Sequence, residues 1–194
     1  MPKKVNHEQR RNKIAEAAWR VILENGMEGA SVRKIAEKAG LSLGALRYYF
    51  SNQEELILYA MRLVKDRAAE RIEQIIHRDV PPKQKMLEVL LEIVPTNRQT
   101  RAEMEVWFTF VSYARHHPHL LKEEGDGILA ALQLMFEYME SNGLLRPGID
   151  RQLEIEKLYA MVDGLALHVM LEPERLTENQ VEKVIASQLD VIFE

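Results

Sequence analysis

Hydrophobic residues recur at helical spacing along almost the whole chain. Ile14, Ala17, Ala18, Val21 and Ile22 follow the i, i+3, i+4, i+7, i+8 order that lines one face of a helix, and Asn25-Gly26 supplies its stop. Ser31 suits the N-cap of a second, shorter helix, in which Val32, Ile35, Ala36 and Ala39 form one stripe before Gly40 permits a left-handed turn. Ser42 can cap a third short helix, with Leu46 and Phe50 on one side while Leu43, Arg47 and Tyr48 point elsewhere. Ser51-Asn52-Gln53-Glu54 has the form of a capping box, with Ser51 as cap and Glu54 reaching back, and opens a fourth helix through about Ile76.

Beyond Pro81-Pro82 the pattern predicts helices over 83–94, 101–114, 119–142, 150–171 and 177–193, separated by Pro95, Pro118, Asn142-Gly143, Pro147-Gly148 and Pro173. No segment alternates with period two and no internal repeat appears, so the expectation is an all-α fold of about nine helices. Residues 158–171 are apolar nearly all round, which a helix tolerates only when it is covered on more than one side. Thr177 and Gln180 form another capping-box pattern, and Val181, Val184, Ile185, Leu189 and Ile192 follow one face of the helix it opens. These last two helices predict a homodimer joined by a symmetric four-helix interface.

Composition adds limits. Hydrophobic residues make up 46% and charged residues 29%, with nine Gly and seven Pro, as in an ordinary globular protein. Cysteine is absent, so disulfides and thiolate zinc sites are excluded and nothing requires an oxidising compartment. The basic N-terminus leads into an amphipathic segment rather than a signal peptide's apolar core, and residues 158–171 fall short of the roughly 18 apolar residues of a membrane span. A soluble, cytoplasmic protein with no membrane partner is expected. Net charge is −4, unevenly spread: residues 1–53 carry ten Lys or Arg against five Asp or Glu, net +5, and residues 54–194 carry net −9. A basic head on an acidic body suits a polyanionic partner at one end.

Two short helices joined at Gly40-Leu41-Ser42 have the proportions of a helix-turn-helix, whose second helix enters the major groove of double-stranded DNA. Gly40 frees the turn, Leu41 plugs the apolar wedge, and Ala36 and Gly44 are small enough for close helix approach. Leu43, Ala45, Arg47 and Tyr48 then face outward: Arg suits guanine O6 and N7 or a phosphate, Leu or Ala a thymine methyl, Tyr a phosphate. Ser31, Arg33, Lys34 and an arm with Lys3, Lys4, Arg10 and Arg11 would hold the backbone.

The run Ile35-Ala36-Glu37-Lys38-Ala39-Gly40-Leu41-Ser42-Leu43-Gly44-Ala45-Leu46-Arg47-Tyr48-Tyr49-Phe50, followed by Glu54-Glu55-Leu56, closely resembles the signature of the tetracycline-repressor (TetR) family. The resemblance covers about residues 8–60. It implies a DNA-binding domain over 1–53, a ligand-binding and dimerisation domain over 54–194, and a repressor released from a palindromic operator by a small organic effector. Ser42, Gly44, Tyr49 and Gln53 join the DNA-contacting set on this basis. Gln53 departs from the family's usual lysine, thought to bond a phosphate; Leu43 stands where lysine is frequent and Arg47 where tyrosine is frequent. The segment Leu158-Tyr159-Ala160-Met161-Val162-Asp163-Gly164-Leu165-Ala166-Leu167 resembles the penultimate helix of the choline-responsive betaine regulators.

Aromatic and Met residues suggest an adaptable apolar cavity: Met104, Trp107, Phe108 and Tyr113 in one helix, Met135 and Met139 in the next, and Met161 with the polar Asp163 and His168 later. His116, His117 and His119 flank Pro118, which breaks the helical face a metal site would need. None of the six His follows a Glu by three residues, as di-iron bundles require, and no phosphate loop or nucleophile elbow occurs, so neither enzyme chemistry nor a cofactor is expected. The alternative is a helical interaction protein without operator binding, for which Gln53 is the hint.

Overall fold

The structure is a computed structural model that describes residues 2–120 and 127–193. Its helices are α1 (Pro2–Gly29), α2 (Val32–Lys38), α3 (Leu43–Tyr49), α4 (Gln53–Ile76), α5 (Pro82–Ile93), α6 (Arg98–Ala114), α7 (Gly127–Ser141), α8 (Arg151–Leu171) and α9 (Glu178–Ile192). No strand occurs among the described residues; Leu145 and Phe193 make one isolated antiparallel bridge. Of the helix expected over 119–142, residues 121–126 lie outside the described residues; Pro118–Leu120 are helical and α7 supplies the remainder.

Two compact units emerge. Among the described residues the first runs to Arg67 and resumes over Glu105–Leu120, while the second comprises Ala68–Met104 and the residues from Gly127 onward. This differs from the division at residue 53, and the reason is burial. Leu56, Ile57, Ala60, Met61 and Val64 of α4 share one core with Ile14, Ala18 and Ile22 of α1, Ile35 of α2 and Leu46 of α3, and Val106 and Phe110 of α6 join them. Trp19 Nε1 donates to the Ala60 carbonyl at 2.9 Å, fixing α1 against α4. Gly26, at φ 69°, ends the regular part of α1 where the sequence placed the stop, and a single further turn follows.

The start of α4 corrects one expectation. Its cap is Asn52, whose Oδ1 accepts the Glu55 N–H at 2.8 Å, and Glu55, not Glu54, reaches back to the Ser51 N–H at 2.8 Å. Glu55 thus binds the N–H of the residue before the cap, and its other oxygen meets Arg11 at 2.9 Å. The start of α6 lies earlier than predicted: Asn97 Oδ1 accepts from the Gln99 and Thr100 N–H groups, and Thr100 Oγ1 accepts from Asn97 N–H.

In the second unit, Met86, Leu90, Leu132, Phe136, Ile155, Leu158, Val162 and Val181 form the core. A partly buried charge cluster ties its helices: Arg71 of α4 bonds Glu92 of α5 at 2.7 Å and the buried Glu103 of α6 at 2.9 Å. Burial works against the Arg71 charge, but the hydrogen bonds it donates to Glu103 and Glu92 outweigh that and raise its pKa. Arg146 donates to the carbonyls of Asp190 and Phe193, anchoring the end of α9.

The α9 stripe needs a second correction. Val181, Ile185, Leu189 and Ile192 are all fully buried in the chain's own core, and only Val184 of that set is exposed. An i, i+3, i+4 stripe marks the inward face first, and the outer surface falls instead to Val184 and Val191 of α9 with Leu153, Leu167 and Leu171 of α8.

Two outcomes follow from this packing. Arg71→Met leaves the buried Glu103 carboxylate without its cation, so urea unfolding should show a loss of about 3–5 kcal/mol, part of which Glu103→Gln restores. The Ser51 backbone N–H holds the Glu55 carboxyl below its ordinary value of 4.5, with the Ser51 hydroxyl and Arg11 adding to the effect. A lowered folded pKa contributes stability that is complete above the unfolded value and disappears as pH falls through the folded one. Melting temperature should therefore decline below about pH 4.5, and less steeply in Glu55→Gln.

Candidate nucleic-acid interface

Two short capped helices build the site. Ser31 Oγ accepts the Lys34 N–H at 3.4 Å and Ser42 Oγ accepts the Ala45 N–H at 3.1 Å, which fixes where α2 and α3 begin. Between them Gly40, at φ 67°, reverses the chain, and the Leu41 N–H bonds the Ala36 carbonyl at 2.9 Å. Leu41 packs against the core, and Ile35, Ala36, Leu46 and Phe50 are buried.

That anchoring decides what remains outside. Arg33, Lys34, Ser42, Leu43, Gly44, Arg47 and Tyr48 are exposed, Tyr48 to 75%, while Ser31, Ala45, Tyr49 and Gln53 are half-buried. Gly44 does not serve helix–helix approach: a Cβ there would meet nothing within 4 Å, since the residue faces away from the chain. The Gln53 side chain donates one amide N–H to the Ala30 carbonyl at 3.1 Å, bracing the turn that precedes α2.

Arg11 also differs from its expected role. Its guanidinium lies 4.5 Å from the Phe50 ring and 4.3 Å from the Tyr59 ring while bonding Glu55, so it faces inward instead of reaching for a phosphate. Its buried Nε has no hydrogen-bond partner among the described residues. Arg10 and Lys13 are exposed; the side chains of Lys3 and Lys4 lie outside the described residues. Sequence reading missed His7, whose ring lies 5.0 Å from Tyr49 and 5.9 Å from Tyr48. The contact joins positions far apart in sequence, which no local periodicity signals.

The nine candidate effector residues are divided. Trp107 and Tyr113 pack on the core of the first unit, where Tyr113 stacks on His117 at 4.2 Å, and Phe108 is half-buried. In the second unit Met139 is buried, Met135 and Met161 are partly buried on the core, and Met104 is half-buried. Asp163 and His168 are exposed in the single chain, and His168 Nδ1 lies 3.7 Å from Glu172, four residues on. Two clefts open on the first unit, one of about 400 Å³ lined by Arg11, Asn52, Glu54, Glu55, Leu58, Tyr59 and Arg62, and one of about 370 Å³ lined by Arg33, Ala36, Glu37, Leu41 and Leu43. Neither contains any of the nine. Among the described residues no group of three or more His, Asp or Glu is placed to hold a metal, and no helix is long and apolar enough to cross a membrane.

This geometry separates a packing arginine from an outward one. Arg11→Ala should cost roughly 1–2 kcal/mol of stability in thermal or urea unfolding, whereas Arg47→Ala should leave the melting curve in place. An unchanged melting curve for Arg11→Ala would refute its inward role.

The family model described as bacterial regulatory proteins, tetR family, matches residues 14–60, and that of the BetI-type transcriptional repressor C-terminal region matches residues 82–194. The HTH-type transcriptional regulator PksA of Bacillus subtilis (strain 168) is 52% identical over 192 residues, covering 99% of this chain and 94% of that protein. The HTH-type transcriptional regulator BetI of Proteus mirabilis (strain HI4320) is 28% identical, covering 98% and 95%. A crystal structure of a transcriptional regulator from Rhodococcus sp. Rha1 superposes with a TM-score of 0.81 at 26% identity, over 94% of this chain and 95% of that one. A putative transcriptional regulator from Saccharomonospora viridis, crystallised in complex with choline, shares the fold at a TM-score of 0.82 and 21% identity, over 96% and 99%. The helix-turn-helix and the region behind it therefore lead to one conclusion: the chain belongs to the TetR family of DNA-binding transcriptional regulators and carries a BetI-type C-terminal region.

Proposed function

We propose that the protein is a cytoplasmic repressor that binds a palindromic operator as a homodimer and leaves it when a small organic effector binds the C-terminal region. The observation that carries this reading is the outward set on α3, where Leu43, Arg47 and Tyr48 stand clear of the core beside the exposed cations Arg33 and Lys34. Dimerisation is supported by the second unit. Leu167 and Leu171 of α8 are 44% and 68% exposed, and Val184 and Val191 of α9 are 42% and 52% exposed, on helices whose other faces fill the chain's own core. A second copy covers such a patch symmetrically.

An effector releases DNA only if it favours a conformation in which the two recognition helices no longer match successive major grooves. Met135, Met139 and Met161 have the flexible side chains to reshape an apolar site within the BetI-type region. The choline held by the Saccharomonospora viridis regulator makes choline the first compound to titrate here.

Selection from a random duplex pool should enrich an inverted repeat, and its affinity should fall about 10³- to 10⁵-fold between 50 and 200 mM salt for six to ten phosphate contacts. Arg47→Ala should weaken specific binding. The double change Leu167→Lys, Val184→Lys touches only exposed positions, so it should give a folded monomer by light scattering that no longer binds the repeat. A pool without an enriched palindrome would sink the repressor reading in favour of an interaction protein, and a native monomer at micromolar concentration would sink the dimer.

A further inference from the structure

The exposed surface at the start of α3 is chemically one-sided. Leu43, Gly44 and Ala45 follow Ser42 there, so this first turn presents no amide, carboxylate or cationic side chain to a base edge. The Ser42 hydroxyl oxygen is already tied to the helix by the Ala45 N–H. Leu43 remains 38% exposed even though its neighbours Leu41 and Leu46 are drawn toward the core. It borders the cleft of about 370 Å³, in which three of the five lining residues are apolar and both charged ones, Arg33 and Glu37, come from α2.

Each base pair shows a different pattern in the major groove, and thymine alone offers an apolar group there, its C5-methyl. Bringing that methyl against an exposed leucine removes apolar surface of both from water. Building on the operator-binding reading above, we propose that Leu43, at the edge of this cleft, is a specificity-determining residue that selects thymine at one position of each half-site by covering its 5-methyl group. Polar readout then falls to Arg47, one turn further along the same helix, whose guanidinium matches guanine O6 and N7.

Deoxyuridine isolates the methyl because it keeps both carbonyl acceptors of thymine and lacks only that group. The duplex enriched from the random pool is remade with dU for dT at one symmetric pair of positions at a time, and binding of the full chain is measured. One covered methyl is worth about fourfold, so one symmetric pair should lose about 15-fold in affinity while the others change less than about twofold. Leu43→Ser and Leu43→Gln should each bind the dT and dU duplexes at that pair equally, within about twofold, and circular dichroism should show both folded, because Leu43 lies outside the core. Affinity unchanged at every dU position, or tenfold discrimination retained by both variants, overturns the thymine assignment while leaving operator binding intact. Failure of the pool to yield any enriched duplex removes both together.

Discussion

At seven residues each, α2 and α3 are too short to offset the cost of helix nucleation in water by their own hydrogen bonds. They exist as helices because Ile35, Ala36, Leu46 and Phe50 are buried against α1 and α4, and because Ser31 and Ser42 satisfy N–H groups that so short a helix leaves orphaned. Everything outward depends on that docking. The outward side chains proposed above to meet DNA are those left over when the inward positions have been filled. A loss of packing beneath α3 would therefore dissolve the reading surface instead of merely tilting it.

The second unit solves a different problem. Its helices are longer, from 12 residues in α5 to 21 in α8, and buried carboxylates join them beside the apolar core. Glu103 is 6% exposed and Glu154 also 6%, and each carboxylate meets more than one partner: Arg71 and Gln99 for the first, Lys157 and Gln188 for the second. Buried charges of this kind add little net stability, but they penalise any arrangement that separates the partners. Residues on α4, α5 and α6 are linked in one cluster, and α8 is linked to α9 in the other.

The parts of this fold written in local pattern were legible in the sequence. The apolar stripe of α1, the positive-φ Gly40 and the caps Ser31 and Ser42 are all one-turn features, and the structure has them where spacing put them. What local pattern could not reveal involves partners distant along the chain. Arg11 looked like a free cation until Phe50, Tyr59 and Glu55 surrounded it. Glu55, which that same arginine meets, takes the place expected of Glu54. The α9 stripe marked a buried face correctly, but periodicity does not say whether the cover comes from the same chain. Pattern does not separate the candidate effector residues from packing residues, since aromatic and Met side chains serve a core and a cavity equally well.

Gln53 gives the molecule an unusual evolutionary freedom. One of its amide protons is committed to the Ala30 carbonyl, inside the protein, at a position where the family resemblance implies a lysine directed at a DNA phosphate. Codons for glutamine and lysine differ by a single base. Under the proposed operator binding, one point mutation would therefore trade internal bracing for external grip without changing any residue of α3. Occupancy and sequence preference would then be separately heritable.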